Sequence, residues 1–413
     1  MGNDLHEISG CEVCGGEILV PVLNLGLHPM CDDLVPVGDA RVCREYPIEI
    51  LFCQTCQTAH QRFQVPKHDL FPVSYHYRSR FTSDVLSGME MLVSSCVERF
   101  GSIEGKKVLD IGCNDGSLLD YFRQRGAVTI GVEPTGACKD AEEKGHAVFN
   151  DYLSRGVARA VVEKHGQPDF ITFTNVFAHI EDLRGVIDAL KVLMGPQTVL
   201  VIENHYLGAV FEGNQFDTFY HEHPRTYSYT SFVYMARALG VDLLDVEFPS
   251  RYGGNIRVFM GAAEMGGRDV DRSELEEKES RFFEGFSALR DNVEAWKLVK
   301  KEVIANHVGV HGAMLGKAFP GRAAILVKLL GLDETQISVV YEKPGSMKIG
   351  HYLPGTRIPI RSDDELLSLA DKNQTILNLA WHISGEIRGY LGKQGFNTVV
   401  DILSSEDFPS SRD

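Results

Sequence analysis

The chain has 413 residues, 44% of them hydrophobic and 24% charged, the balance of an ordinary folded chain with room for two or three domains. A net charge of −16 with no polybasic run excludes a protein that tracks a phosphate backbone, because nucleic-acid binders carry a basic face. The opening MGNDLHEISG has no charged-then-apolar leader, and His6 stands where a myristoylation signal needs Ser or Thr. No apolar run reaches the roughly 18 residues that span a bilayer, so the expectation is a cytoplasmic protein without nucleic-acid or membrane partners.

Nine cysteines, at positions 11, 14, 31, 43, 53, 56, 96, 113 and 138, read as thiolates or metal ligands rather than disulfides in such a chain. Cys11-Glu-Val-Cys14 and Cys53-Gln-Thr-Cys56 are two CxxC knuckles, each able to place two thiolates on one ion, and together they complete a tetrahedral zinc site. The gap between them exceeds that of common zinc fingers, but a loop grows at small entropic cost once its ends are clamped. A redox CxxC is the alternative, and neither knuckle has the strand-helix context of a thioredoxin motif. Cys31 and Cys43 read as ordinary buried thiols. Residues 1–70, with short β-like runs (EILVPVLNLG, YPIEILFC) closed by QVPKHDLFP, form a domain too small for a large core, for which the metal substitutes. Four thiolates close the coordination shell, so this zinc is structural.

Residues 71–300 alternate strand and helix patterns, with KKVLDIG, AVTIGVE, HAVFN, DFITFTN and TVLVIEN as strands, which predicts a doubly wound α/β domain. In VLDIGCNDG an apolar strand closes on Asp110 and a turn follows in which Gly112 and Gly116 let the backbone approach a ligand, before the helical SLLDYFR. The next strand ends in Glu133, about 20 residues past the glycine turn, where nucleotide folds hold a ribose diol. The glycine pattern departs from GxGxxG. D-x-G-C-x-D-G followed by V-E-P resembles the S-adenosylmethionine site of class I methyltransferases, with Asp110 and Gly112 beside the methionine part and Glu133 on the ribose. A nicotinamide domain or a plain strand-to-helix turn is the alternative reading.

His179 lies past the end of the DFITFTN strand, where open α/β sheets bind ligands. Further on, Tyr220-His221-Glu222-His223 places four ionisable side chains in a row. Proton abstraction next to a carbonyl needs a base, a group that stabilises the enolate oxygen, and a neighbour that fixes the base's tautomer; Tyr, His and Glu supply all three. A metal site is disfavoured, because consecutive HEH does not give the i, i+4 spacing of two helical ligands. An exposed polar loop is the bland reading. RSELEEKESRFFEGFSALRDNVEAWKLVKKEVIA then reads as one long amphipathic helix with a solvated charged face, and residues 301–413 return to strand-helix alternation as a second Rossmann-like lobe.

The paired CxxC knuckles, DIGCNDG, NVFAH, FDTFYHEH with a later Y-S, GGNIRVF and a C-terminal VYEK…LPGTRIPI, in that order, resemble the sugar C-methyltransferases. These enzymes methylate nucleotide-linked 4-ketosugars at the carbon next to the ketone, usually C3. The resemblance covers nearly the whole chain, and YHEH and PGTxIPI are its most specific marks. It implies a zinc-binding domain (1–70), a central class I methyltransferase domain (71–300) and a C-terminal Rossmann-like domain (301–413). It implies S-adenosylmethionine and structural zinc as cofactors, a small-molecule TDP-sugar as substrate, and a monomer or weak homo-oligomer. By motif, His223 resembles the base that removes the proton α to the ketone, while Tyr220, Glu222 and His179 resemble the polar groups around the enolate. Tyr75 and Tyr77, in SYHYRS, match a tyrosine-containing segment that enters the active site. Asp110, Gly112, Asn114, Gly116, Glu133 and Asn175 make up the implied cofactor contacts.

Two departures bear on the substrate. The family's H-G-G-S-x-R is Tyr252-Gly253-Gly254-Asn255-Ile256-Arg257 here, which alters the contacts of the His and the Ser. The glycine turn of the C-terminal lobe reads as interrupted by an insertion, AMLGKAFP, between His311-Gly312-Ala313 and Gly321-Arg322-Ala323-Ala324, with Arg322 or Lys317 as candidates for a phosphate contact. An O- or N-methyltransferase of another small metabolite, and a zinc-stabilised binding protein without turnover, are the competing functions.

Overall fold

The runs KVLDI, VTIGV and FITFT are mostly apolar and do not alternate because each becomes a parallel strand with its centre buried: Lys107–Ile111, Val128–Val132 and Phe170–Thr174. The computed structural model describes residues 5–70, 78–81, 83–266 and 272–408. It divides the chain into two compact units. The first comprises Met1–Val20, Leu51–Ala209 and Glu222–Phe283, the second Pro21–Ile50, Val210–His221 and Glu284–Asp413.

The first unit holds a seven-stranded sheet in the order Asp242–Glu247, Asn255–Gly261, Val199–His205, Phe170–Thr174, Lys107–Ile111, Val128–Val132, Ala147–Phe149. The last five run parallel, and Asn255–Gly261 is antiparallel to both of its neighbours. The chain starts in the middle at Lys107–Ile111, winds outward to Ala147–Phe149, then returns to the other side of its starting strand. This is the doubly wound architecture the sequence predicts, and its switch point lies at the carboxyl ends of Lys107–Ile111 and Phe170–Thr174, where such sheets bind ligands. Helix Ser83–Phe100 covers one face, packing Leu92, Val93 and Cys96 with Leu118, Leu119 and Phe122 of helix Ser117–Gln124.

The second unit has its own five-stranded sheet, all parallel, in the order Ile360–Ser362, Ile337–Glu342, Met314–Lys317, Ile376–Asn378, Val399–Asp401. Its centre corrects the sequence reading of AMLGKAFP as an insertion. Met314–Lys317 is the central strand, and the turn after it leads into helix Ala323–Leu330. The strand is short and contains a glycine and a lysine, which hid it. Gly316 is required because a Cβ there would lie 2.7 Å from Cγ2 of Val340 on the adjacent strand. Lys317 is buried because both carboxylate oxygens of Asp363 bind its ammonium, at 2.8 and 2.7 Å.

The predicted long helix is also two, Ser273–Glu279 and Phe282–His311. The break follows from Glu279, which points inward instead of to solvent and is fully buried. Its carboxylate accepts the backbone N–H of Tyr229 (2.7 Å) and of Thr230 (2.8 Å), the Thr230 hydroxyl (2.6 Å) and the Tyr206 hydroxyl (2.9 Å). It thereby supplies the orphan donors at the start of helix Tyr229–Leu239, while Ser280 Oγ closes the preceding turn on the Glu277 carbonyl at 2.6 Å. Replacing Glu279 by Ala strands two buried amides and should lower the free energy of unfolding by about 3 kcal/mol. Urea denaturation checks this, and wild-type stability in Glu279→Ala would remove the account of the break.

Candidate active site and metal centre

The glycine loop sits at the switch point and is stitched to the neighbouring strand, for the N–H groups of Gly112 and Cys113 both donate to the Val132 carbonyl, at 2.8 and 3.2 Å. Gly112 has φ 71°, and a Cβ there would lie 2.6 Å from Val176 Cγ2, so only glycine lets this loop and the Asn175–His179 loop meet. Asn114 and Gly116 share the left-handed conformation, at φ 50° and 74°. Glu133 is held against the loop: its Oε2 accepts the Asn114 N–H at 3.0 Å, and its Oε1 accepts the Thr135 N–H and hydroxyl at 2.8 and 2.5 Å. Asp115, fully buried, takes the Ser117 hydroxyl at 2.6 Å and the Arg80 N–H at 3.0 Å, while Asn114 Oδ1 accepts the Ser79 N–H at 3.1 Å. Residues 79 and 80 are thus fastened to the loop. Tyr75 and Tyr77, just before them, lie outside the described residues.

Asp110 is buried behind the loop and accepts the Thr172 hydroxyl at 2.7 Å. Burial pushes its carboxyl up to about 7, against the Thr172 bond and with help from the nearby Glu133 charge. A carboxyl so placed is the complement of a cationic ligand. The opposite wall starts at Asn175 (φ 54°), whose N–H donates to the Glu203 carbonyl at 2.8 Å. The Glu203 side chain, fully buried after the apolar first half of strand Val199–His205, accepts Arg251 Nη1 (3.0 Å), Asn255 Nδ2 (3.0 Å) and Arg257 Nε (2.7 Å). Asn255 Nδ2 also lies 3.3 Å from Asn175 Oδ1, so the residue that replaces the family's Ser joins the two loops.

His179 and His223 come together, with ring centroids 4.8 Å apart and planes tilted by 56°. His179 Nδ1–H donates to the Glu222 carbonyl at 2.8 Å, which sets how the ring is turned. Burial lowers the pKa of His179, against the pull of the Glu222 and Asn175 carbonyls, so the ring is neutral near pH 7. His221, between the other two members of the run, serves differently: it is buried in the second unit, 3.1 Å from the Tyr46 carbonyl, and burial pushes it down to about 4. Tyr220 also belongs to the second unit, Glu222 and His223 to the first.

The four cysteines of the knuckles converge. Cys11 and Cys56 Sγ are 3.4 Å apart, Cys14 and Cys53 Sγ 3.6 Å, and all four lie within 4.8 Å of one another. A tetrahedral Zn²⁺ with sulfur at about 2.3 Å needs sulfurs roughly 3.8 Å apart, so the set fits zinc and leaves no open position. The cysteines themselves are the local core, with Val13, Leu19 and Tyr234 packed around them. Outer donors are in place, with His60 Nε2 3.3 Å from Cys11 Sγ and Thr58 Oγ1 3.1 Å from Cys56 Sγ. The Cys56 carbonyl accepts Ser228 and Ser231 hydroxyls, at 3.4 and 3.2 Å, and these serines form the capping box of helix Tyr229–Leu239.

Sequence reasoning missed several of these groups. Glu203 announces itself only as a charge inside an apolar strand, Asp115 as a second acid in the glycine turn, and Arg225 as the cation after His223. Asn204, buried with neither amide atom hydrogen-bonded among the described residues, carries no local signal at all.

Residues 11–71 match the family described as "Putative zinc binding domain", residues 86–246 "Methyltransferase domain", and residues 250–399 "C-methyltransferase C-terminal domain". C-methyltransferase NovU of Streptomyces niveus is 27% identical over 394 residues, 94% of this chain and 93% of that protein. Together the three matches give this chain the domain order of a C-methyltransferase. An Escherichia coli O157:H7 ubiquinone biosynthesis O-methyltransferase is 34% identical over 109 residues, 25% of this chain and 45% of that protein. Among solved structures, magnesium protoporphyrin IX methyltransferase (ChlM) from Synechocystis PCC 6803 with bound SAH is 16% identical, with a TM-score of 0.35 over 43% of this chain and 84% of that one. The methyl donor of this C-methyltransferase is S-adenosylmethionine, and the four-cysteine cluster is its zinc site. No helix among the described residues is long and apolar enough to cross a membrane.

Two outcomes follow from the geometry. Because the folded pKa of Asp110 lies above the ordinary carboxylate value, the ligand-free fold binds more protons than the unfolded chain between about pH 4 and 7, and stability falls as pH rises through that window. Asp110→Asn should abolish that decline, worth roughly 5 °C of melting temperature between about pH 5 and 7.5; a parallel decline in both proteins would refute the assignment. Metal analysis of the purified chain should return about one zinc, and Cys53→Ser should lose most of it together with the cooperative melt. A fully folded, zinc-free Cys53→Ser would show that the cluster does not need its ion.

Proposed function

We propose that this enzyme methylates the carbon next to the ketone, C3, of a nucleotide-linked 4-keto-6-deoxysugar, with a TDP-sugar as the substrate. The observation that carries the reading is the contact between His179 and His223, within motifs that resemble the sugar C-methyltransferases and on the unit that holds the glycine loop. A sugar carbon has no lone pair to give until an adjacent ketone makes its proton acidic, so acid-base work precedes transfer. In this reading His223 takes the α-proton. His179, neutral and fixed by the Glu222 carbonyl, steadies that ring. Tyr220 and Glu222, with Tyr75 or Tyr77, hold the enolate oxygen.

S-adenosylmethionine supplies a methyl on a cationic sulfur, displaced in line by the substrate carbon. Asp110 and Gly112 would lie beside its methionine part, Glu133 would grip its ribose, and Asn114, Gly116 and Asn175 would complete the cradle. Glu133 already spends one oxygen on the Asn114 N–H and the other on Thr135, so its orientation is set before the ribose arrives. The functional divisions would be the zinc module (1–70), the transfer domain (71–300) and the substrate lobe (301–413). Nine cysteines outside disulfides, four of them at the zinc site, suit a reducing cytoplasm, and a monomer or weak homo-oligomer is the assembly we propose.

The test is incubation with S-adenosylmethionine and a panel of nucleotide-linked 4-keto-6-deoxysugars in deuterated water, read by mass spectrometry. The wild type should add one methyl and, without donor, exchange one deuterium. His223→Ala should bind the donor normally and lose about 10²–10⁴ in both reactions. Full turnover in His223→Ala would sink the base assignment, and no methylation across the panel would move the acceptor outside nucleotide sugars.

A further inference from the structure

A buried arginine fastens the loop that carries His223 to the metal module. Arg225 is fully buried, and its guanidinium donates to the Glu12 carboxylate, to the Ile180 carbonyl, to the Glu181 carbonyl at 3.3 Å and to the Tyr227 hydroxyl at 3.0 Å. Ile180 and Glu181 directly follow His179, and Glu12 directly follows the zinc ligand Cys11. One side chain therefore touches the chain next to a metal ligand and the chain next to one catalytic ring, and lies two residues from the other. The backbone repeats the link. Arg225–Thr226 pairs antiparallel with Thr58–Gln61, Arg225 opposite His60, and the Gln61 N–H donates to the Pro224 carbonyl at 2.8 Å. Glu12 is in turn held by Gln64 Nε2 at 2.8 Å, with His60 Nδ1 3.7 Å away.

A buried ion pair is weak evidence for stability, since an apolar pair of the same volume does as well. What a planar fork of donors offers is fixed direction toward several acceptors at once. We infer that Arg225 is a positioning residue: through Glu12 and the Ile180–Glu181 carbonyls it transmits the geometry of the loaded zinc knuckle to the His179–His223 pair. This rests on the reading of His223 as the base. Misplacing such a pair by about 1 Å costs up to about 100-fold in rate.

The experiment uses full-length zinc-loaded protein labelled with ¹⁵N-histidine, as wild type, Arg225→Lys, Glu12→Gln and the milder Tyr227→Phe. The ring signals of His179 and His223 are assigned by loss in the His179→Gln and His223→Gln spectra. Arg225→Lys and Glu12→Gln should keep zinc content and S-adenosylmethionine affinity within about twofold, shift both ring signals but not that of His307, and lower kcat by about 10- to 100-fold at nearly unchanged KM. Tyr227→Phe should shift the same two signals less. The ring signals of the zinc-loaded variants are a readout that needs no turnover. Unchanged ring signals in Arg225→Lys, or a loss of rate matched by equal losses of zinc, donor binding and melting temperature, would overturn the inference. If Arg225→Lys does not fold, Glu12→Gln and Tyr227→Phe decide it by the same signals. A wild type that methylates no ketosugar would overturn the functional reading and leave the ring-signal result standing.

Discussion

A carboxylate removed from water must be neutralised where it stands, and the Glu203 side chain does this at the carboxyl end of a central strand. Two guanidinium groups and one amide converge on it, and its own main-chain carbonyl receives the Asn175 N–H. Arg257 is shared with Glu247, at 2.6 Å, which spreads the compensation to the edge strand. Because any one partner removed would leave a buried charge uncompensated, the arrangement tolerates little drift. The Asn175 loop, the Tyr252–Arg257 segment and the strand between them are therefore set as one rigid wall. The glycine loop faces that wall at the closest distance a backbone allows, through Gly112 and Val176.

The histidines show how burial assigns different work to one residue type. His221 loses its charge to packing and has a main-chain carbonyl for company, the pattern of a structural residue. His179 also loses its charge, but its ring lies tilted against a second imidazole and is held by the neighbouring loop. A neutral ring at that place accepts a proton or a hydrogen bond without first having to give one up. The zinc knuckle supports this arrangement from a distance. Its cysteines form the local core with Val13, Leu19 and Tyr234, and the serines bonded to the Cys56 carbonyl begin the helix that follows the His223 loop.

The parts of this design that depend on neighbours in sequence were legible there. Continuous apolar runs gave the parallel strands, the CxxC spacing gave the thiolate cluster, and the glycines with a following acid gave the tight loop that Glu133 holds. What the sequence hid depends on partners far along the chain. Glu279 breaks a helix only because the amides of Tyr229 and Thr230 wait for it, fifty residues earlier. Lys317 sits in a strand only because Asp363 neutralises it, which is why that stretch resembled an insertion. Arg225 looked like one more polar residue after YHEH until Glu12 and the Ile180 carbonyl were seen around it. Periodicity reports which face of an element is apolar; it says nothing about which buried charges find each other.

The chain passes between its two units five times, after Val20, Ile50, Ala209, His221 and Phe283. No contiguous stretch of sequence is therefore equivalent to either unit. Recombination between relatives, natural or deliberate, that exchanges everything past Phe283 transfers only one of the second unit's three segments and leaves Pro21–Ile50 and Val210–His221 with the recipient. The crossing inside Tyr220–His223 is the most consequential, because it gives two adjacent residues of one short motif to different units. That motif can be inherited intact while the segments of the second unit on either side of it in sequence come from another parent.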